Sequence, residues 1–288
     1  WAGDGGDDDL ASARFHLIAR AIGFLEREKE RVRRSGAGGP RLMQRRWINA
    51  PLLTIEHLTM RFGGLTAVND VSFTVGRGDI TALIGPNGAG KTTTLEIIET
   101  LREKSGGDVM IDGLNIDRDL NEIKKIIGVQ LQAAGYYPSL NLMELLDLFS
   151  GLYNVNVDRK EILASVGLED KAKNKYKELS GGQKQRFSIS TTLINNPKII
   201  FLDEPTTGLD PHARRNLWDL IRTIRDKGTT VVITTHYMDE AEYCDRVSIM
   251  VDGVIAALDS PKNLKTQMNA PDMEDVFYQL ARKARRSE

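Results

Sequence analysis

The sequence has a single cysteine, Cys244, in 288 residues, which excludes an internal disulfide and a Cys-x-x-Cys metal site and suits a reducing compartment, with Cys244 as a small buried filler. Long apolar runs are missing as well. Stretches such as Lys198-Ile199-Ile200-Phe201-Leu202 end quickly in charge, well short of the ~18 to 20 apolar residues that cross a bilayer. Nor does charge of one sign prevail: 39 Lys and Arg stand against 40 Asp and Glu, a formal net charge of -1. No nucleic-acid partner is expected from that balance, and any phosphate binding must be local. The chain opens at Trp1 on an acidic Gly/Asp run, the opposite polarity to a secretory signal, so the cytosol is the expected location. With 41% hydrophobic and 27% charged residues, the composition is that of an ordinary globular protein, and this length buries about 75% of the unfolded surface.

The patterning divides the chain into an unassigned extension over 1–48, a main domain over 51–265 and a helical tail over 266–288. Within the extension, 1–9 reads as an unstructured lead and Leu10–Arg34 as a helix with Phe15, Ile18, Ile22 and Leu25 on one stripe, broken by Gly36–Pro40. Its charged end from Glu26 reads as a solvated face, and Met43 is a candidate start. From Leu52 the pattern turns to short alternating segments, Leu53–Leu58 and Val71–Val75, bounded by Gly63-Gly64 and Gly76-Arg77-Gly78, which predict a small antiparallel sheet. Ile80–Ile84 reads as a strand leading through a Gly-rich loop into a helix over Lys91–Arg102. Further strands are expected at Ile127–Leu131, Lys198–Leu202, Thr230–Thr234 and Arg246–Val251, and Asn141–Lys177 reads as helical throughout. The architecture this gives is α/β: a parallel core sheet, a small antiparallel β subdomain, and a helical block inserted at about 136–178.

Gly85-Pro86-Asn87-Gly88-Ala89-Gly90-Lys91-Thr92 satisfies G-x-x-x-x-G-K-[ST] between a predicted strand and helix. Glycines let successive backbone N–H groups turn toward phosphate oxygens, and the helix start adds about half a positive charge. Lys91 is then expected to reach the β/γ-phosphates, Thr92 to hold Mg²⁺, and Thr93 to continue the nucleotide contact. A second element, Ile199-Ile200-Phe201-Leu202-Asp203-Glu204, is a buried strand delivering two adjacent carboxylates, an expensive arrangement without a purpose. Asp203 suits the Mg²⁺ shell and Glu204 the polarisation of the water attacking the γ-phosphate of ATP. A plain capping Asp-Glu pair before Pro205 is the structural alternative.

A third element is Leu179-Ser180-Gly181-Gly182-Gln183 followed by Lys184-Gln185-Arg186, with Ser180 lying 23 residues ahead of Asp203 and 89 beyond Lys91. Alone, Ser-Gly-Gly is an N-cap and turn. Together with the first two elements it resembles the signature motif of ATP-binding cassette (ABC) proteins, and the resemblance covers about 52–285. What it implies is a P-loop NTPase (RecA-like) core with ATPase activity, and roles for further positions. Phe62 resembles the aromatic that stacks on adenine, where the family more often has tyrosine. Gln132 falls on the loop that senses Mg²⁺ and the attacking water, Gln130 being a less favoured reading of the same segment. Gly208-Leu209-Asp210 resembles the loop linking two cassettes across their dimer, and His236 the switch histidine that contacts the γ-phosphate. His16, His57 and His212 match nothing.

The family places two ATP molecules between two head-to-tail cassettes, so Ser180, Gly181, Gly182 and Gln183 would face the phosphate loop of a second subunit, either another copy or a similar chain. The resemblance further implies a separately encoded membrane permease and a peripheral location on the cytoplasmic face. Thr234–Glu242 and Met273–Phe277 look like the ABC-2 class, mostly exporters, whereas Pro51–Leu65 resembles cassettes of branched-chain amino-acid importers. The changeover predicts a hybrid joined in or near Gly85–Thr93. Export is the leading expectation; an importer cassette and a non-transport ABC ATPase are the alternatives. The permease-docking surface is expected just after Gln132, at Ala133–Pro138, where Tyr136 and Tyr137 cannot both face one core from an extended segment.

Overall fold

The computed structural model describes residues 50–130 and 135–284; the extension with its expected helix, and Gln132, lie outside the described residues. The chain divides into two compact units, one built from 51–130 together with 196–288, the other containing 131–195.

The larger unit holds two sheets. A four-stranded antiparallel sheet contains β1 (Leu53–Phe62), β2 (Leu65–Val75), β4 (Gly106–Ile111) and β5 (Leu114–Asn115) in the order β2-β1-β4-β5. A six-stranded sheet contains β3 (Ile80–Ile84), β6 (Ile127–Gln130), β7 (Ile199–Asp203), β8 (Thr230–Thr235), β9 (Arg246–Val251) and β10 (Val254–Asp259) in the order β10-β9-β3-β8-β7-β6. All its pairings are parallel except β9 with β10. Every residue of β3, β7 and β8 is buried, which is why these strands read as unbroken apolar or Thr-rich runs: a parallel sheet is covered on both faces. Helix α1 (Lys91–Ile98) follows β3, α2 (Leu120–Ile126) precedes β6, and α6 (Pro211–Asp226) follows β7. One hydrophobic cluster joins Leu53, Val71 and Phe73 of the first sheet to Leu95 and Ile97 of α1 and to Phe201, Val232 and Met250 of the second.

The helical unit comprises α3 (Leu142–Tyr153), α4 (Arg159–Ser165) and α5 (Gly181–Thr192), linked by 3-10 turns at Glu169–Lys171 and Tyr176–Glu178. The expected continuous helicity over Asn141–Lys177 is broken, because Asn154 and Gly167 adopt left-handed conformations that end a helix. The tail forms α7 (Pro261–Met268) and α8 (Met273–Ala284). α1 stops four residues short of the expected Arg102, with Thr100 left-handed at φ 64°. The sequence reading missed β4, whose apolar content is interrupted, the two-residue β5, β10, the charged two-turn helix α2, and α6. Cys244 is buried, as expected of a filler.

Candidate functional site

In-register pairing decides what meets at the carboxyl edge of the large sheet. Ile84 aligns with Thr235 on β8, and Asp203 aligns with Thr234. The phosphate loop, the two acids and the residues around His236 therefore leave three neighbouring strands at one edge, the crevice where open α/β sheets bind ligands.

The loop's glycines are required by contact. A Cβ on Gly85 would meet the Met250 carbonyl oxygen at 2.2 Å, and one on Gly90, at φ 98°, would meet the Ala67 carbonyl oxygen at 2.5 Å. Gly90 stands as the N-cap of α1 with no side-chain hydrogen bond to the helix, and the first turn holds no acidic residue. The start of α1, with Thr92 and Thr93 half-buried in its first turn, thus presents backbone donors and a positive dipole end suited to an anion. Lys91 is 5% exposed. Its ammonium donates to the carbonyls of Gly85 at 3.0 Å and Pro86 at 3.1 Å and lies 3.9 Å from Glu204 Oε1. Burial pushes its pKa below the ordinary lysine value, against the opposing pull of Glu204 and Asp203.

Asp203 closes β7, buried, and accepts a hydrogen bond from the Thr234 hydroxyl. Burial raises its pKa, with the charges of Glu204 and Glu96 acting in the same sense, while the Thr234 hydrogen bond and Lys91 pull it down. Glu204 is held at φ 45°, a left-handed conformation that costs a non-glycine residue on the order of 1–3 kcal/mol and is found where surroundings over-determine it. Its N–H donates to the Thr234 hydroxyl at 3.0 Å and to the Thr234 carbonyl at 3.2 Å. That anchorage turns its carboxylate toward Lys91 and His236, whose Nδ1 lies 3.2 Å from Glu204 Oε2 without the alignment a hydrogen bond needs. Thr207 donates to the same oxygen at 3.3 Å.

Thr234 is the residue the sequence reading missed: one hydroxyl orients Asp203 and anchors Glu204. The signal was a pair of hydroxyl residues, Thr234-Thr235, ending an apolar strand, but strand order is needed to see which acid they face.

The arrangement fits a nucleotide polyphosphate with a divalent cation. Among the described residues no three His, Cys, Asp or Glu side chains are grouped to hold a metal, so a Mg²⁺ held by Thr92 and Asp203 would complete its shell with phosphate oxygens and water. Phe62 and Asp210 stand at other elements of the same unit. Phe62 ends β1, 40% exposed, with the Arg102 guanidinium 5.1 Å from its ring centroid. Asp210 caps α6, accepting from the N–H groups of His212 and Ala213 at 2.9 Å each, and these donors hold its carboxyl below the usual range.

In the helical unit, Ser180 caps α5 in a reciprocal box: Gln183 N–H donates to Ser180 Oγ at 3.3 Å and Ser180 N–H to Gln183 Oε1 at 2.9 Å. Gly181 and Gly182 form the first turn of α5 behind it. Of the two tyrosines, Tyr136 is core, its ring packed among Phe149, Tyr176 and Phe187 and its hydroxyl 3.0 Å from Thr191 Oγ1. Tyr137 is 50% exposed. A substitution at Tyr136 therefore strikes packing, and only Tyr137 presents surface.

Residues 68–207 match the family described as ABC transporter. The chain is 36% identical over 239 residues, covering 80% of itself, to the probable multidrug ABC transporter ATP-binding protein YbhF of Escherichia coli (strain K12), and spans only 41% of that protein. It is 33% identical over 235 residues to the linearmycin resistance ATP-binding protein LnrL of Bacillus subtilis (strain 168), covering 80% of this chain and 74% of the relative. Among solved structures, the dimeric post-hydrolysis state of the ATP-binding cassette MJ0796 bound to ADP and Pi aligns with a TM-score of 0.65 at 30% identity, over 72% of this chain and 98% of the other.

Proposed function

The chain belongs to the ABC transporter ATP-binding family, and from that membership we propose that it hydrolyses ATP as the motor subunit of an exporter, closing head-to-tail on a second cassette and driving a separate membrane permease. The observation that carries the ATPase reading is the meeting of Lys91, Asp203, Glu204 and His236 at one sheet edge, with Glu204 strained into its place. In this reading Lys91 and the N–H groups at the start of α1 bind the phosphates. Glu204 takes the water's proton, and His236, beside the Glu204 carboxylate, contacts the γ-phosphate. Bound Mg²⁺ would neutralise developing charge on the phosphates, held by Thr92 and Asp203, with Gln132 completing the sensing of metal and water.

Phe62 would stack on adenine, and Ser180–Gln183 and Asp210 would meet the second cassette. The dimeric state of MJ0796 supports that pairing. The names of YbhF, a probable multidrug ABC transporter ATP-binding protein, and LnrL, a linearmycin resistance ATP-binding protein, support export. Among the described residues no helix is long and apolar enough to cross a membrane, which accords with a peripheral cassette on the cytoplasmic face using exposed Tyr137 as a docking residue.

Glu204→Gln keeps shape and removes basicity, so ATP binding should persist while turnover falls on the order of 10² to 10⁴-fold. Near wild-type turnover in a preparation free of contaminating ATPase overturns the assignment. For the transport half, a membrane protein of multiple spans should co-purify with the tagged chain and be lost on Tyr137→Ala. Retention of that partner by the variant removes Tyr137 from the docking surface.

A further inference from the structure

The residues after His236 form a clasp that the reading above does not use. The Thr235 hydroxyl accepts from Tyr237 N–H at 3.0 Å and donates to Glu240 Oε2 at 2.6 Å, so the backbone on both sides of His236 is tied to one side chain. Glu240 is fully buried, and a buried carboxylate held by a single hydroxyl is costly unless a cation compensates it. The cation is Arg214, in the first turns of α6, whose Nε lies 3.7 Å from Glu240 Oε1. Among the described residues neither of these two atoms has any hydrogen-bond partner.

The same guanidinium sits 4.2 Å from the Tyr237 ring centroid, and that ring lies 4.2 Å from the His236 imidazole at 37°. Arg214 thus lies over the Tyr237 ring and that ring is tilted against the His236 imidazole, with Glu240 and Thr235 fastening the backbone. Arg214 is itself part of α6, its backbone N–H donating to the carbonyl of the N-cap Asp210 at 2.9 Å, so the clasp is seated on the helix that opens immediately after the Glu204–Asp210 loop.

We propose that Arg214 and Glu240 are positioning residues for ATP hydrolysis: through Tyr237 and Thr235 they set the His236 imidazole beside the Glu204 carboxylate. This rests on the reading of His236 as the γ-phosphate contact. Because Arg214 compensates the buried Glu240 carboxylate, its loss strikes stability as well as aim, whereas its guanidinium over the Tyr237 ring acts on ring orientation in a way that lysine does not reproduce. Melting curves separate the first effect from the second.

The test compares wild type, Arg214→Gln, Arg214→Lys and Glu240→Gln in the full chain, each also in a His236→Ala background, by steady-state ATPase with kcat and KM for MgATP separated and by thermal melting. Arg214→Gln and Arg214→Lys should each lower kcat ~10-fold or more with KM within about 2-fold, and neither should lower kcat further once His236 is alanine. Glu240→Gln keeps the acceptor for Thr235 and should show a milder kcat loss of the same kind. Unchanged kcat in the Arg214 variants, or equal losses with and without His236, overturns the proposal. Should a Glu240 variant fail to fold, the partly exposed Arg214 carries the test alone. If His236→Ala itself leaves turnover intact, the role of His236 falls and the positioning role with it, an outcome distinct from a fall caused by the Arg214 variants alone.

Discussion

The sheet edge and the Ser180 turn differ in how well each satisfies itself. At the edge, a lysine is buried against its own loop carbonyls, an aspartate is buried with a raised pKa, and a glutamate is forced to φ 45°. At the turn, Ser180 and Gln183 exchange two hydrogen bonds on an ordinary helix start, with nothing strained. The first region carries unspent local conflict, the usual mark of a site whose chemistry is built within one chain. The second is complete as local structure, so any function it has must come from what docks on it. Physics alone marks the edge as a candidate site; the turn is proposed as one only through resemblance.

The sharpest way to break this contrast is to remove a conflicted residue. Lys91→Ala deletes a buried ammonium whose charged form the fold disfavours, so stability should stay within about 1 kcal/mol of wild type. Nucleotide affinity should drop roughly 10 to 100-fold with the loss of charge-assisted hydrogen bonds to phosphate. Titration of a fluorescent ATP analogue together with chemical denaturation checks both halves. A large loss of stability with intact binding would make Lys91 a structural residue and dissolve the distinction.

The Ser180 turn is probed by keeping its local role and spoiling its outer face. Asp is as good an N-cap as Ser, so Ser180→Asp should fold normally, with melting within a few degrees of wild type. The added negative charge would meet the phosphates of a partner's nucleotide, and turnover should fall on the order of 10 to 100-fold. Unaltered ATPase in a variant of normal stability would leave the turn as a helix cap and nothing more.

Much of this is legible in the sequence. The apolar runs of β3 and β7 read as strands of a parallel core sheet, and the Gly-rich loop between strand and helix as a phosphate cradle. The reading faltered where a property depends on partners distant in sequence. β10 has a half-exposed pattern that gains its meaning only from pairing with β9. Arg214 has no motif of its own, and Thr234 enters the sequence reading only as the start of Thr234–Glu242; strand register aligns Thr234 with Asp203, and the course of α6 brings Arg214 onto Tyr237. Asp210 shows the opposite limit, since family resemblance assigns it to a dimer contact while its side chain is engaged as the N-cap of α6.

The smallest effect expected is also the most specific to the conflict at the edge. Burial raises the pKa of Asp203 in the folded chain, so between its unfolded value and that raised value the native state holds more protons than the unfolded one. Stability from this group is therefore greatest at low pH and declines as pH rises through the folded pKa. Asp203→Asn keeps an acceptor for the Thr234 hydroxyl and has no charge to desolvate. The variant should melt higher than wild type at neutral pH, by about 2–4 °C for each ~1 kcal/mol relieved, and its advantage should shrink as pH falls below the raised pKa toward the ordinary carboxylate range. Turnover should be lost at the same time, because the carboxylate disfavoured by the fold is the one a Mg²⁺ ion would need. Paired melts of wild type and variant from neutral to acidic pH decide it: a gain in stability independent of pH, or a loss at neutral pH, would mean that Asp203 is not held there against the preference of its surroundings.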